Sequence, residues 1–296
     1  MSKKKHMFRQ KIAKALVSTF ILALCLIPLY MSLSWAIEAV GGRDHRSATA
    51  IAAFHTRPID RTGAPLQPLK QPIVSITFDD GWESVYTEAL PILRENGFHT
   101  TQYIITDTFD RPNYLSIDQL KAMQKAGEEI AAHTITHSDL TTLDVKQIEH
   151  ELKDAQSTLE RNFGGSVRDF TSPFGAYNTY TLKTIAKYYR SQKNAEGDPV
   201  ANPLEAINVA SDFNALNIRS YSVRRSTTMA DLNKLLDNAR NNNGWLVLTY
   251  HQVDNSGADF SVTPDFFRKQ IELLSKSNVR SATVGTVLDT LTVAKR

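Results

Sequence analysis

From residue 73 onward, short apolar runs alternate with amphipathic stretches. Runs rich in β-branched and aromatic residues predict strands, and apolar residues spaced by three or four positions predict helices. The predicted strands are residues 73–78, 100–105, 129–133, 169–172, 217–223, 245–250 and 280–284. The predicted helices are residues 84–96, 116–125, 144–163, 179–189, 229–241 and 263–275.

Local signals mark the ends of several helices, with Ser116 typical of an N-cap and Gly97 and Gly127 typical of C-terminal ends. Alternation of strands and helices predicts an α/β fold with a parallel sheet. Seven or eight such units favour a closed or nearly closed (β/α) barrel over an open doubly wound sheet. No glycine-rich phosphate loop follows the first strand, so we expect no nucleotide site.

The N-terminal part has a different pattern. Residues 1–14 form a basic head with six positive charges, and residues 15–37 are apolar and carry no charge. The apolar segment is long enough to cross a bilayer, which predicts a transmembrane anchor. Ser34 and Ala36 are also small at the two positions that a signal peptidase reads, so cleavage after Ala36 is the alternative. Both readings predict that the rest of the chain is exported, to the periplasmic or extracellular side.

Residues 38–71 are rich in small, polar and proline residues and predict a linker, which leaves residues 72–296 as the main folded domain. The formal net charge is +3, but without the six basic residues of the head the remaining chain has 28 basic and 31 acidic residues. We therefore expect no nucleic-acid partner. The single cysteine, Cys25, lies in the apolar segment, so an apolar core and not disulfide bonds must hold the exported part.

Polar residues with metal-binding or acid-base chemistry follow four of the predicted strands. They are Asp79 and Asp80, His133 and His137, the Ser172-Pro173-Phe174-Gly175 turn, and His251. Taken singly, each is more typical of an ordinary turn or of a satisfied polar residue. The carboxyl ends of barrel strands share one rim, however, so we expect these residues to converge there. Two imidazoles and one carboxylate would form a three-ligand metal site with an open position for water.

Four ordered motifs resemble those of the polysaccharide deacetylases, which are carbohydrate esterases with a NodB homology domain. The motifs are Thr77-Phe78-Asp79-Asp80-Gly81, His133-Thr134-Ile135-Thr136-His137, Ser172-Pro173-Phe174-Gly175 and Leu248-Thr249-Tyr250-His251. The resemblance covers about residues 73–291. It implies a distorted (β/α) barrel and metal-dependent hydrolysis of N-acetyl groups in an N-acetylhexosamine polymer.

The resemblance also implies a role for each matching residue. Asp80, His133 and His137 would bind a divalent metal ion, with Zn²⁺ expected and other first-row ions as alternatives. Asp79 would be the general base, and His251 the acid that protonates the departing amine. The residues expected to contact the substrate or its oxyanion are Pro173, Phe174, Gly175, Leu248, Trp82 and Tyr250. Of these, Leu248 matches the family position that packs on the acetyl methyl group. Trp82 and Tyr250 border the predicted site, where their rings would stack on a sugar, although an aromatic residue beside a strand is more typical of the core.

The chain departs from the family pattern at two places. Thr171 stands where many members carry an arginine that pairs with the base, although some members lack it, and Arg219, Arg224 and Arg225 are the candidates to take that place. The family segment with an aspartate that tunes the acid has no clear match, with Arg219 and Asp212 as the candidates.

The expected partners are a polysaccharide substrate and, through the N-terminal segment, a lipid bilayer. Peptidoglycan, chitin-like chains and poly-N-acetylglucosamine all carry the N-acetyl group, and loops such as residues 196–216 would select among them. The alternative function is a catalytically dead carbohydrate-binding protein with the same fold. A second alternative, an iron oxygenase with two histidines and one carboxylate, leaves Asp79 and His251 without roles.

Overall fold

The computed structural model describes residues 69–195 and 203–293. The predicted basic head, the apolar segment, nearly all of the predicted linker and part of the loop at residues 196–216 lie outside the described residues. Within the described ranges, no helix combines the length and the apolar character that a bilayer-crossing segment requires.

The strands of the described ranges differ widely in length. They are β1 (Ile73–Asp80), β2 (Thr101–Ile104), β3 (Glu129–Ala132), β4 (Asp169–Thr171), β5 (Ser191–Lys193), β6 (Ile207–Asn208), β7 (Tyr221–Ser222), β8 (Trp245–Tyr250), β9 (Gln252–Val253), β10 (Ser261–Val262) and β11 (Arg280–Ser281). The long strands β1 and β8 are buried along almost their whole length, as expected where helices cover the sheet.

Helices follow most of the strands. They are α1 (Leu90–Glu95), α2 (Ile117–Lys125), α3 (Val145–Phe163), α4 (Thr179–Tyr188), α5 (Met229–Asn241), α6 (Pro264–Lys276) and α7 (Val284–Val293). A π-helical turn, Val85–Ala89, leads into α1, and five short 3₁₀ turns lie in the connections: Thr106–Thr108, Leu140–Thr142, Pro173–Gly175, Pro203–Ala206 and Ala210–Asp212. Ser116 is the predicted N-cap of α2, where its side chain accepts from Gln119 N and Gln119 Oε1 accepts from Ser116 N.

The main sheet has the order β5-β4-β3-β2-β1-β8-β6, and β11 and β7 pair additionally with β1 and β8. All of these pairs are parallel except that of β6 with β8. The predicted α/β fold with a parallel sheet is therefore confirmed. Strand β1 is central, because it pairs with β2, β8 and β11. Its carboxyl end carries Asp79 and Asp80.

The sheet is curled. Ile218 forms a parallel bridge with Lys193 of β5, and three residues later β7 begins and pairs with β8. The segment from Ile218 to Ser222 thus bonds to β5 on one side and to β8 on the other. Thr77 and Thr249 are register partners on the neighbouring strands β1 and β8, and their hydroxyl oxygens lie 3.2 Å apart.

Agreement with the predicted elements is best where the apolar pattern is long. The predicted bounds of β8 and α5 match the observed ones, whereas the predicted strand at 217–223 is regular only in β7. Strands β5, β6, β9 and β10 were not predicted, because two or three residues are too short to show a period. The predicted strand at 280–284 was wrong at its end, since only Arg280–Ser281 pairs and helix α7 begins at Val284.

The core lies between the sheet and the helices. In α5 the buried residues are Leu232, Leu235, Leu236 and Ala239, which is the spacing of one helical face. Each large side chain buried in this way stabilises the fold by roughly 1.5–3 kcal/mol. On the sheet, Tyr250 packs against Phe78 and against Phe267 of α6, with ring centroids 5.6 Å and 5.1 Å apart. Packing on the helix side holds β1 and β8 in place, and both strands lead directly into the candidate site.

Candidate active site

The two aspartates that end β1 point to different surroundings. Asp79 is buried, with its carboxylate directed at Lys193 of β5. Asp80 has a positive φ of 76° and is followed by Gly81 at φ 88°. A left-handed backbone is costly for a residue with a side chain and is typical of functional sites. This turn directs Asp80 towards the histidines that follow β3.

The loop after β3 carries His133 and His137 on a strained backbone, since Thr134 and His137 have φ values of 66° and 61°. Thr134 is β-branched, for which the left-handed region is especially unfavourable. His137 N donates to Thr134 Oγ1 at 2.9 Å, which closes the loop on itself. Both histidine rings are thereby held on the same side, with their centroids 4.7 Å apart.

The buried carboxylate of Glu151, on α3, accepts hydrogen bonds from the same loop. Its Oε2 accepts from Ile135 N at 2.8 Å and from Thr136 N at 3.0 Å, and its Oε1 accepts from Thr136 Oγ1 at 2.7 Å. The sequence pattern did not predict a role for Glu151. Its position on the buried face of an amphipathic helix is the only sequence signal, because a buried carboxylate needs hydrogen-bond donors around it.

Asp80, His133 and His137 together offer one metal-binding atom each, all within 4.8 Å of one another. Asp80 Oδ1 lies 3.4 Å from His133 Nε2 and 3.5 Å from His137 Nε2. His133 Nδ1 contacts the carbonyl oxygen of Thr171 at 2.9 Å, so in the neutral ring Nδ1 carries the proton and Nε2 presents its lone pair.

The surroundings of these atoms fit a cation. Within the described ranges, buried Asp80 Oδ1 has no hydrogen-bond partner. Burial alone would raise the pKa of Asp80, but the imidazoles of His133, His251 and His137 favour its carboxylate and lower the pKa well below its usual range. Burial and the nearby His133 lower the pKa of His137 to about 4, so its ring is neutral at neutral pH. The lone pairs of the two imidazoles thus face the Asp80 carboxylate. A divalent ion bound between them would stabilise this arrangement.

Replacing Glu151 by glutamine is expected to weaken metal binding at this site by about 10- to 100-fold, since the loop that carries His133 and His137 loses a charged acceptor. Competition titration with a chelating indicator measures the affinity. Glu149→Gln is the matched control, because Glu149 lies two positions earlier on α3 and, within the described ranges, bonds only the exposed Lys187. Equal affinities in the two variants would contradict the supporting role of Glu151.

Asp79 pairs with a buried lysine. Its Oδ2 accepts from Lys193 Nζ at 3.0 Å, and its buried Oδ1 has no hydrogen-bond partner within residues 69–195 and 203–293. Lys193 was not predicted as a site residue. It lies in a three-residue polar strand without a hydrophobic signal, and it is 114 positions from Asp79.

His251 directly follows β8 and is flanked by the ring of Phe260, with centroids 4.7 Å apart. Burial lowers the pKa of His251, while the carboxylates of Asp79 and Asp80 act in the opposite direction. Its Nδ1 is buried without a hydrogen-bond partner in the described part of the chain. His251 is thus close enough to both aspartates for their charges to affect its protonation.

The predicted turn after β4 forms the next part of the rim. Phe174 has a φ of 59° and is 70% exposed, and the edge of its ring contacts His137 with centroids 4.6 Å apart. Gly175 is needed at φ 65°, because a Cβ there would lie 2.8 Å from that of Ala195. In this turn Pro173 has no N–H, and Gly175 N donates to Ser172 O. The backbone N–H of Phe174 is therefore the candidate donor to the oxyanion.

Two of the side chains predicted to contact substrate are buried in the core, and a third lies at the site. Tyr250 is 1% exposed in the core against Phe78 and Phe267, so its ring cannot stack on a sugar. Leu248 is fully buried in the same apolar cluster, because alternate residues of a strand share a face. Trp82 does border the site, but its Nε1 donates to Asp80 Oδ2 at 3.0 Å, which helps to orient that carboxylate.

The three candidates to replace the arginine that is absent at position 171 bond to other groups. Arg219 pairs with Asp212 and donates to Ile207 O, so the two residues considered for tuning the acid contact each other. Arg224 pairs with Asp259 and lies over the ring of Phe260, and Arg225 donates to Gly257 O. The cation beside Asp79 is instead Lys193.

A cleft of about 350 Å³ opens next to Asp80 and His137. One wall is the ring of Trp82, which stacks on Tyr114 with centroids 4.6 Å apart. The opposite part carries an ion pair between Arg111 and Asp107 at 2.6 Å. Aromatic faces beside paired polar groups are the features with which proteins bind sugar rings and their hydroxyls.

Residues 67–190 match the family model described as polysaccharide deacetylase. Among curated relatives, the chitooligosaccharide deacetylase of Sinorhizobium fredii is 32% identical over 136 residues, which are 45% of this chain and 58% of the relative. The chitooligosaccharide deacetylase of Azorhizobium caulinodans is 35% identical over 119 residues, which are 40% of this chain and 55% of the relative. The chain thus spans little more than half the length of these relatives.

A solved structure shows the same fold. The Xyl-CE4 domain of a multidomain xylanase from the hindgut metagenome of Trinervitermes trinervoides superposes with a TM-score of 0.52 at 18% identity. The match covers 75% of this chain and 91% of that domain. It extends well beyond the segment that the family model matches.

Proposed function

Because the chain belongs to the polysaccharide deacetylase family, we propose that it hydrolyses N-acetyl groups of an N-acetylhexosamine polysaccharide. The observation that carries the proposal is the cluster of Asp80, His133 and His137, with Asp79 and His251 beside it. These five residues come from the ends of three different strands. The alternative, a catalytically dead carbohydrate-binding protein, would not require that all five be present.

The proposal includes the distorted (β/α) barrel that the sequence predicted. Its support is the pair of links through Ile218 and β7, which carry the hydrogen bonding from β5 round to β8. In a barrel the catalytic groups belong at the carboxyl ends of the strands, where Asp79, Asp80 and His251 lie.

The metal would be held by Asp80, His133 and His137. One carboxylate and two imidazoles suit Zn²⁺, with other first-row divalent ions as alternatives. When bound, such an ion supplies Lewis acidity, which makes water more acidic and polarises a carbonyl. Trp82 and the Thr171 carbonyl fix the orientation of Asp80 and His133, and Glu151 holds the loop between the histidines.

The protein's own groups would move the protons. Asp79 would take a proton on its unpartnered Oδ1 from the water that attacks the acetyl carbon. The new C–O bond forms and the C–N bond breaks, which releases acetate. His251 would donate a proton to the departing amine, and its lowered pKa makes the imidazolium a stronger acid than free histidine. The Phe174 N–H would donate to the oxyanion.

The experiment is a measurement of acetate released by the full-length protein from peptidoglycan, a chitin-like chain and poly-N-acetylglucosamine. We expect release from at least one polymer, loss of release on treatment with a chelator, and recovery on adding Zn²⁺. Binding to a polymer without release of acetate at any metal concentration would instead favour the catalytically dead alternative.

We further propose that the catalytic domain is exported and anchored in a bilayer. The support is the uncharged apolar segment at residues 15–37 behind six basic residues. The protein should then sediment with membranes and resist extraction by carbonate and high salt, with its catalytic domain open to external protease. A soluble exported form that begins at Ile37 would show that the segment is a cleaved signal peptide.

A further inference from the structure

Lys193 is a fully buried lysine at the carboxyl end of β5. Its Nζ donates to Asp79 Oδ2 at 3.0 Å and to Thr249 Oγ1 at 3.1 Å, and it lies 5.1 Å from the centroid of the Tyr103 ring. An ammonium group is rarely buried unless a carboxylate and further polar groups surround it. Here these three neighbours surround the Lys193 ammonium group, and one of them is the carboxylate of Asp79.

The contact divides the carboxylate of Asp79 into two unequal oxygens. Oδ2 is occupied by Lys193, whereas Oδ1 is buried and has no hydrogen-bond partner in the described ranges. The side chain is therefore held by one oxygen and presents the other. A base that must meet a water molecule at a set distance gains from being held in this way.

The small side chain of Thr171 on β4 explains why the cation beside Asp79 comes from the neighbouring strand β5. Thr171 and Lys193 are register partners in the β4–β5 pair, and Thr171 Oγ1 donates to the Lys193 carbonyl at 3.0 Å. Register partners of a parallel pair project to the same face. A small threonine on β4 leaves the space on this face that the long side chain of Lys193 fills.

We propose that Lys193 is a positioning residue, which holds the carboxylate of Asp79 in the orientation needed for proton transfer. The proposal rests on the proposed function, in which Asp79 is the base. Lys193 acts through Asp79 alone and contacts neither substrate nor metal. Its removal should therefore lower kcat and leave both KM and the metal content unchanged.

The test is a double-mutant cycle on the full-length protein with Lys193→Met, Asp79→Asn and the double variant. We expect Lys193→Met to lower kcat by on the order of 10²-fold, with KM and the metal content of the native protein. In the Asp79→Asn background, Lys193→Met should cause no further loss of the residual activity. Lys187→Met, which removes an exposed lysine, is the control and should keep the native kcat.

The proposal is overturned if kcat of Lys193→Met stays within about twofold of the native value, or if Lys193→Met lowers activity equally in both backgrounds. If Lys193→Met leaves Asp79 unpaired and does not fold, the double variant decides, because it removes both charges. Activity of the double variant equal to that of Asp79→Asn supports the proposal, and lower activity refutes it. A native protein that releases no acetate would refute the proposed function itself, and the role of Lys193 with it.

Discussion

Replacing His137 by alanine is expected to abolish metal binding and acetate release together. Asp80, His133 and His137 provide the candidate donor atoms, and loss of one leaves two protein ligands. Even the loss of a supporting residue typically costs 10- to 100-fold in affinity, so loss of a ligand should exceed about 10²-fold. Elemental analysis of the purified variant and an acetate assay check the two losses.

His137 is the better of the two histidines for this experiment. It is half-buried in the cleft, whereas His133 is 2% exposed and bonds the Thr171 carbonyl, so that its removal would also leave a cavity. His150→Ala is the control, since His150 is exposed on α3 and pairs with Asp154. Undiminished metal in His137→Ala would refute the assignment of the ligands.

Exchanging each aspartate of β1 for asparagine is expected to separate two functions that look alike in the sequence. Asp79→Asn should keep the metal and lower kcat by about 10²- to 10⁴-fold, because an amide cannot accept the proton. Asp80→Asn should weaken metal binding itself, because Asp80 Oδ1 lies 3.4 Å and 3.5 Å from the two histidine nitrogens.

The comparison requires metal content and turnover to be measured on the same preparations. Asp118→Asn, on the exposed surface of α2, serves as the control for loss of a carboxylate. A similar fall in metal content for Asp79→Asn and Asp80→Asn would show that both aspartates bind the ion, and the assignment of Asp79 as the base would then be wrong.

The cation that pairs with Asp79 could not be identified from the local sequence pattern. Thr171 indicates a missing cation beside the base, with Arg219, Arg224 and Arg225 as the candidate replacements. The structure pairs Arg219 and Arg224 with Asp212 and Asp259, and Arg225 with a backbone carbonyl. Lys193 supplies the cation from a strand too short to be recognised by its period. An arginine introduced at position 171 would thus bring a second positive charge beside Asp79, which already pairs with Lys193.

Strand ends were predictable where the pattern was long and apolar. Strand β8 matched, and His251 follows it as expected. Tyr250 and Leu248, two of the residues predicted to contact substrate, are buried in the apolar cluster. Both lie on the helix side of β8, whereas Thr249 faces Lys193. Residues at a strand end are identified by sequence, but which of two neighbours faces the site depends on how the sheet is covered.

The sequence by itself determined the α/β class, the parallel sheet and the order in which acids and histidines follow the strands, because strand and helix periods and burial are local properties. Only the tertiary structure decided which groups hold these residues. Lys193 reaches Asp79 across 114 positions, and Glu151 and Thr171 hold the histidine loop across 16 and 38. Such partners are chosen by the curvature of the sheet and by the need to pair buried charges, and neither leaves a periodic signal along the chain.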